Sequence, residues 1–468
     1  MLSSALYLHP TDFRVESDFR AKSIEESEPI IMKKVVKFGG SSLANAAQFQ
    51  KVGDIIRADE SRVFVVPSAP GKRFKDDVKV TDMLLKAYAI AVEGGDLDAQ
   101  LALIKERYDE IIQGLGLSMT LEDEFREIAA TLKETPYEDY AASRGEYLNA
   151  KIMACYLGYD FIDAYDVIFF NEEGALNLYK TKKVLSKALE EHPKAVIPGF
   201  FGRGKDGRVK TFSRGGSDVT GSVVAASAKA DIYENWTDVS GFLIADPRIV
   251  HKPKAINTIT YRELRELSYM GASVLHEDAI FPIREIGIPI NIKNTNRPED
   301  EGTWIVESSA RKSKYTITGI AGKKGFCTVQ ITKAMMNSEI GFCRKVLQAF
   351  EENGISIEHM PSGIDTMTVA VHEDEFLDKE QRVVSGIHRL AQPDTVEIDS
   401  GLALIAVVGR GMKSAHGTAA KIFTSLEKAN INIRLIDQGS SELNIIIGIE
   451  EKDFEKAIRS IYDVFVKE

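Results

Sequence analysis

Short, continuous apolar runs alternate with longer amphipathic stretches through the first two thirds of the chain, a pattern that predicts parallel strands buried between helices. Val35-Val36-Lys37-Phe38, Val63-Phe64-Val65-Val66 and Ala195-Val196-Ile197 read as buried strands, and Phe49, Val52, Ile55 and Ile56 recur at helical spacing between the first two. From about 84 to 157 the pattern is helical, with Ser143-Arg144-Gly145-Glu146 expected to open a helix and so place Glu146 in a first turn. Residues 167–170 are expected as a strand, 181–191 as a helix, Asp206-Gly207 as a hairpin turn and 231–236 as a strand. Helices over 261–269 and 275–286, then strands over 288–292 and 303–306, close this region.

Beyond about 308 the units shrink. Strand 326–332, helix 341–352, strands 355–360 and 367–371 and helix 379–390 are followed by 403–408, 417–429, 431–436, 443–449 and a last helix over 452–466. Both series share a helix-to-strand junction, Asn353-Gly354-Ile355-Ser356-Ile357 and Asn430-Ile431-Asn432-Ile433, so two tandem βαββα repeats are expected. The expected division is 1–31 as a disordered extension or upstream start, 32–310 as a catalytic α/β domain with a mostly parallel sheet sandwiched by helices, and 311–398 and 399–468 as two α+β units. Leu6-Tyr7-Leu8 is too short for a signal sequence, and Met32 before Lys33-Lys34 looks like a start.

A length of 468 residues supports two to four domains, and 44% hydrophobic with 28% charged residues is a soluble globular composition. The net charge of -11 argues against a nucleic-acid partner, and no apolar run is long enough to span a bilayer. Cys155, Cys327 and Cys343 stand in no metal-binding or disulfide pattern, which fits a reducing, cytoplasmic compartment.

Candidate chemistry sits in the turns. Lys37-Phe38-Gly39-Gly40-Ser41-Ser42 reads strand, glycine turn, helix start; unpaired N–H groups and a lysine charge at one spot suit a phosphate, although glycines there also serve simply to relieve sterics. Pro67-Ser68-Ala69-Pro70-Gly71 follows the next strand, where open α/β sheets bind ligands, and the charged stretch 72–79 after it is expected to be loose. A second glycine-rich helix start, Ser213-Arg214-Gly215-Gly216-Ser217-Asp218, adds an arginine and an aspartate. There is no GxxxxGK[ST] and no kinase HRD/DFG set. Lysine, arginine and glycine turns without a nucleophile triad suggest phosphoryl transfer, and the lack of a histidine base in these loops favours an acceptor already ionised at neutral pH, a carboxylate.

The series Lys37-Phe38-Gly39-Gly40-Ser41-Ser42, Ser143-x-Gly145-Glu146, Arg214-Gly215-Gly216-Ser217-Asp218, Thr237-Asp238-Val239-x-Gly241 with Asp246-Pro247-Arg248, and Gly271-Ala272-x-Val274-Leu275-His276, followed by two ACT-type repeats, closely resembles the aspartokinase family from Met32 onward. The resemblance implies phosphorylation of the β-carboxylate of L-aspartate by ATP, the first step of lysine, threonine and methionine biosynthesis. By similarity, Lys37 neutralises the transferring phosphoryl, Gly39 and Gly40 cradle it, Glu146 takes the substrate ammonium, Arg214 the α-carboxylate, and Asp218 orients Lys37 and substrate. Ser68, Thr81 and Ser217 are implied further substrate contacts; Ser41, Thr237, Asp238, Asp246 and Arg248 are implied nucleotide contacts. Mg2+ is expected on the ATP phosphates rather than in a protein cage.

Two positions depart from the family pattern: Ser273 stands where many members have lysine, and Leu243 where many have tyrosine, with Lys293 a candidate replacement charge or simply a solvated residue. Rival readings are another carboxylate kinase such as acetylglutamate or glutamate 5-kinase, or a non-catalytic amino-acid sensor; a fused homoserine dehydrogenase is not expected at this length. The ACT units imply a homodimer or homotetramer and feedback inhibition. The effector set is expected at Met336, Ser338, Gly341, Phe342, Glu358, Ser362 and Asp365, with Glu358 either receiving a lysine ammonium or being a solvated strand residue, and Ser338, Ser362 and Thr366 keeping threonine open.

Overall fold

The structure is a computed structural model that describes residues 32–213, 215–272, 275, 279–309 and 315–467. The segment 1–31, Arg214, Ser273, Val274 and His276 therefore lie outside the described residues. Fifteen strands are described: β1 (Lys34–Phe38), β2 (Arg62–Pro67), β3 (Asp160–Phe161), β4 (Ala195–Val196), β5 (Phe201–Arg203), β6 (Val209–Thr211), β7 (Ile232–Thr237), β8 (Thr258–Thr260), β9 (Ile290–Asn294), β10 (Thr303–Val306), β11 (Gly319–Thr332), β12 (Thr366–His372), β13 (Thr395–Val408), β14 (Leu435–Asp437) and β15 (Asn444–Glu450).

Eight of them form one sheet in the order β3-β4-β2-β1-β7-β9-β10-β8. All pairings are parallel except β9 with β10. The apolar runs at β1 and β2 are buried on both faces, as continuous rather than alternating hydrophobicity requires. With β1 near the middle, its C-terminal end is flanked by the loop after β2 on one side and the loop after β7 on the other. The Asp206-Gly207 turn joins β5 and β6 as the expected hairpin.

Three local expectations are corrected. Glu146 is not in a first turn: the helix runs Glu138–Leu157, with Glu138 and Asp139 already supplying first-turn carboxylates. Val167 ends a short helix, Ala164–Val167, and only single bridges at Phe169 and Phe170 follow it. The stretch 72–79 is not loose, because Asp77 pairs with Arg73 at 2.9 Å and with buried Arg107 at 3.1 Å, and those contacts hold its carboxyl well below the usual range.

The remaining strands form an antiparallel sheet, β12-β11-β13-β15-β14. The two small units are interleaved rather than strictly tandem. Residues 326–332 of β11 pair with β12 and with the first half of β13, whereas 319–324 pair with 403–408 of β13. The second unit thus takes one strand from in front of the first. Gly325 (φ +86°) and Gly401 (φ +72°) lie where the pairing shifts between these halves, a left-handed conformation in which a side chain would be strained. The expected strand 355–360 is reduced to edge contacts: Glu358 N–H donates to Ala370 O and Ala370 N–H to His359 O.

A fully buried carboxylate joins the two sheets. Glu263, in the helix Tyr261–Tyr269, is 0% exposed and accepts from Thr260, from Thr318 Oγ1 at 2.6 Å, and from both the backbone N–H and the guanidinium of Arg410 at 2.8 Å. Burial alone would push its carboxyl up, but these donors together hold it below its ordinary value. Removing one partner of a buried pair strands the other, so Glu263→Ala should destabilise the chain by about 3–5 kcal/mol in denaturant titrations at neutral pH. A lowered carboxyl contributes stability above the usual carboxylate range and loses it as pH falls through its folded pKa, so the deficit should shrink in acid. An equal deficit at all pH values would rule out the charged pair as its source.

Candidate functional site

The C-terminal end of β1 gathers the first group. Lys37 and Asn235 are register partners on β1 and β7, so both side chains leave the sheet on one face. They meet at Asp218, in the first turn of the helix Gly216–Ala228: Lys37 Nζ lies 2.6 Å from Asp218 Oδ1, and Asn235 Nδ2 donates to the same oxygen at 2.8 Å. Lys37 is 8% exposed, and Asp218 is the carboxylate that compensates the burial of its ammonium. Tyr233 Oη donates to the Asp218 backbone carbonyl at 3.1 Å and fixes that turn.

The glycine turn after β1 is narrower as a cradle than expected. Gly39 N–H is already donated to Trp236 O at 3.0 Å, which leaves the N–H groups of Gly40 and Ser41 at the start of a 3-10 turn without a partner among the described residues. Gly40 is required by close approach: a Cβ there would lie 2.8 Å from Ala69 O, and Gly71 N–H donates to Gly40 O at 2.8 Å. Arg107 Nη2 holds Gly71 O from the other side at 3.1 Å.

The helix Glu138–Leu157 presses on this loop through Gly145, whose added Cβ would fall 2.8 Å from the Ala69 methyl. That contact brings Glu146 under the loop. Burial pushes the Glu146 carboxyl up to about 8, against the opposing effects of the Ala69 N–H and the Lys37 charge. Its Oε2 is buried without a hydrogen-bond partner among the described residues. One turn on, Asn149 is fully buried, donates to Ser68 O at 2.6 Å, and its own Oδ1 finds no partner among the described residues. Two buried oxygens at i and i+3 face the same loop, a demand for partners that none of the described residues meets.

On the second glycine-rich turn, Gly215 (φ +57°) precedes the helix, and Ser217 packs so tightly on Gly199 that a Cβ there would sit 2.6 Å from Ser217 Oγ. Next to it Phe200 adopts φ +80°, a costly conformation of the kind held at ligand sites. Phe200, Thr81 and Ser213 line a cleft of about 790 Å³. The third loop is less committed: Thr237 Oγ1 donates to Asp238 at 3.2 Å, and exposed Arg248 forks onto Asp246 at 2.6–3.0 Å, which lowers the Asp246 carboxyl. Lys293 is tied elsewhere, donating to Asp300 O at 2.9 Å and lying over the Trp236 ring. Sequence reasoning missed Asn149, Phe200 and Asn235; only their neighbourhood to motif residues could have drawn attention to them.

Of the expected effector residues, Met336 and Phe342 are buried in the separate apolar core of the first small unit. Asp365 Oδ1 accepts from the Met335 N–H at 2.9 Å, Ser338 Oγ donates to Met335 O at 3.1 Å, Gly341 (φ +82°) caps the helix Phe342–Glu351, and Ser362 bridges to Met367. Glu358 is not a solvated strand residue: its side chain is 4% exposed, Oε1 accepts from Tyr269 Oη at 2.7 Å, and Oε2 has no partner among the described residues. Among the described residues no group of three or more His, Cys, Asp and Glu could hold a metal ion, and no helix is long and apolar enough to cross a membrane.

The profile of the Amino acid kinase family matches residues 32–294, and an ACT domain profile matches 405–465. Aspartokinase 3 of Bacillus subtilis is 41% identical over 447 residues, covering 92% of this chain and 98% of that protein. Aspartokinase 1, chloroplastic, of Arabidopsis thaliana is 30% identical over 463 residues, covering 92% and 80%. The crystal structure of Clostridium acetobutylicum aspartate kinase, described as an allosteric enzyme, superposes with a TM-score of 0.84 at 50% identity over 93% of this chain and 100% of that one.

The Glu146 geometry has a measurable signature. Its folded pKa lies above the ordinary value, so between about pH 4.5 and 8 the folded chain holds a proton that the unfolded chain releases, and this group's contribution to stability declines as pH rises through that window. Glu146→Gln removes the dependence. The melting temperature of the variant relative to wild type should therefore climb from about pH 5 to about pH 9, and a flat difference would mean that Glu146 is ionised throughout.

Proposed function

The chain belongs to the aspartokinase family, within the amino acid kinases, and from that premise we propose how its own residues carry out ATP-dependent phosphorylation of L-aspartate on the β-carboxylate. The observation that carries the assignment of roles is the Lys37–Asp218 pair at the end of β1, beside open backbone donors. In this reading MgATP is the substrate, with magnesium on its phosphates. Lys37 and the Gly40 and Ser41 N–H groups take the transferring phosphoryl; the Gly39 N–H serves instead to tie the turn to β7. Thr237, Asp238, Asp246 and Arg248 face the rest of the nucleotide, the last two exchanging their mutual fork for the ligand.

Glu146 receives the aspartate ammonium, which supplies the donor its buried oxygen lacks, and Asn149 Oδ1 stands one turn away. Arg214 takes the α-carboxylate through its planar fork, with Ser68, Thr81 and Ser217 completing the pocket. The acceptor carboxylate is already ionised and needs only orientation in line with the phosphoryl, so no side-chain base is required. Asp218 holds the Lys37 ammonium in place until charge builds on the phosphoryl oxygens. The free cysteines at 155, 327 and 343 support a reducing cytoplasm as the setting.

A coupled ADP-release assay with L-aspartate, L-glutamate and N-acetyl-L-glutamate should show turnover with aspartate; none above background ATP hydrolysis would overturn the reading. Lys37→Ala should lower kcat on the order of 10²–10³-fold with a smaller change in KM, while Glu146→Ala raises KM for aspartate. Near-normal kcat in Lys37→Ala would place the phosphoryl contact elsewhere.

We infer feedback inhibition of this route by L-lysine, with L-threonine the alternative effector, at paired first ACT units of a homodimer or homotetramer. The buried, half-satisfied carboxylate of Glu358 supports a cationic side chain as its ligand. The start of the helix Phe342–Glu351, where Gly341 gives no side-chain cap, suits the effector's α-carboxylate. By linkage the effector binds the less active arrangement better, so lysine should raise KM or lower kcat without competing at Glu146. Glu358→Ala should abolish lysine sensitivity. Unaltered sensitivity removes Glu358 from the site, and indifference to both amino acids removes the regulatory reading.

A further inference from the structure

A cavity of about 680 Å³ lies where the loop after β7 meets β11 and the C-terminal helix Phe454–Tyr462. Leu243, Arg248 and Ala272 wall it on the catalytic side; Ile320, Lys324 and Phe454 wall it on the regulatory side. Its position follows from the phosphate cradle. The Gly39 turn is bonded to Trp236 on β7, β7 ends at Thr237, and the same backbone then continues through Val239 and Gly241 into the cavity wall. A ligand anchored by phosphates at Gly40 and Ser41 would carry its other end along this loop.

The chemistry of the walls fits a nucleoside. Leu243, Ile320 and Phe454 give the lining apolar side chains for a flat heterocycle, beside the charged Asp246, Arg248, Lys324 and Glu455. Of the two lining cations, Arg248 is paired by its fork onto Asp246. Lys324 has no carboxylate partner among the described residues, and its ammonium lies 5.4 Å from the centre of the Phe454 ring. Gly322 lets that ring lie against the strand: an added Cβ would come within 2.7 Å of it.

We propose that β11 of the ACT sheet is a wall of the nucleotide site, so that the base packs against Ile320 and Phe454 and Lys324 contacts the ribose or a phosphate oxygen. The proposal rests on the nucleotide reading above and extends it to the regulatory part of the chain. Nucleotide affinity is then coupled to the placement of β11, and by reciprocity whatever moves that strand changes how tightly ATP is held.

Two measurements on the full chain test it. Photolysis with 8-azido-ATP, whose reactive group sits on the base, should label a peptide containing 320–324 or 454–458. Lys324→Met, an exposed substitution that keeps the stem, should weaken ADP binding in calorimetry about tenfold and raise KM for ATP while leaving KM for aspartate in place. Either an unlabelled regulatory segment or wild-type ADP affinity in Lys324→Met overturns the proposal. A wild-type chain that binds no ADP and takes no label at all would remove the nucleotide reading, and this inference with it.

Discussion

An ammonium held almost out of water at the end of a central strand is the requirement around which the catalytic part is arranged. An isolated buried charge costs several kcal/mol, so an ammonium in this place calls for a carboxylate beside it with good geometry. Asp218 can reach it only because the helix Gly216–Ala228 starts directly over β1, and Asn235, the register partner of Lys37, shares the same oxygen. The central position of β1 then lets loops from both neighbouring strands close around the charge. The touching backbones of Gly40 and Gly71 and the orphaned acceptors on the helix Glu138–Leu157 follow from that crowding.

The helix Tyr261–Tyr269 is gripped at both ends by regulatory residues. Its first turn is fastened by Glu263 to Thr318 and Arg410, at the second small unit; its last residue, Tyr269, donates to Glu358 of the first. The next residues, Met270 to Ala272, line the cavity beside β11. On the regulatory reading proposed above, a cation at Glu358 would meet a carboxylate whose other oxygen holds the Tyr269 hydroxyl. In physical terms, that is a route by which effector charge can be converted into a shift of a catalytic-side helix.

The parallel sheet was legible because buried strands write themselves as unbroken apolar runs, and the glycine turns because backbone proximity leaves few other residues possible. The carboxylate of Glu146 was visible but misplaced in its helix: Glu138 and Asp139 are modest signals beside the Ser-x-Gly-Glu motif, and the true start lies at Glu138, ahead of Ser143. Asn149 and Asn235 carry no pattern of their own; what singles them out is a partner distant in the chain, Ser68 for one and Asp218 for the other. The burial of Glu358 was equally hidden, since it arises from Tyr269 in another part of the fold. The pairing of residues 319–324 escaped for the same reason, because a strand's neighbour is chosen by the whole sheet and not by its own alternation.

That pairing has a mechanical meaning. The chain enters the first small unit along β11 and leaves it along β13, and the same two strands run on, side by side, into the second. The units therefore share a two-stranded shaft, softened where Gly325 and Gly401 admit a left-handed bend. Sliding one unit past the other would break ladder hydrogen bonds along the whole shaft, whereas twisting it about its length breaks none. Torsion is thus the easy coordinate for relative motion. Cleaving the backbone anywhere between 409 and 443 would leave the two units still wound together by that shaft.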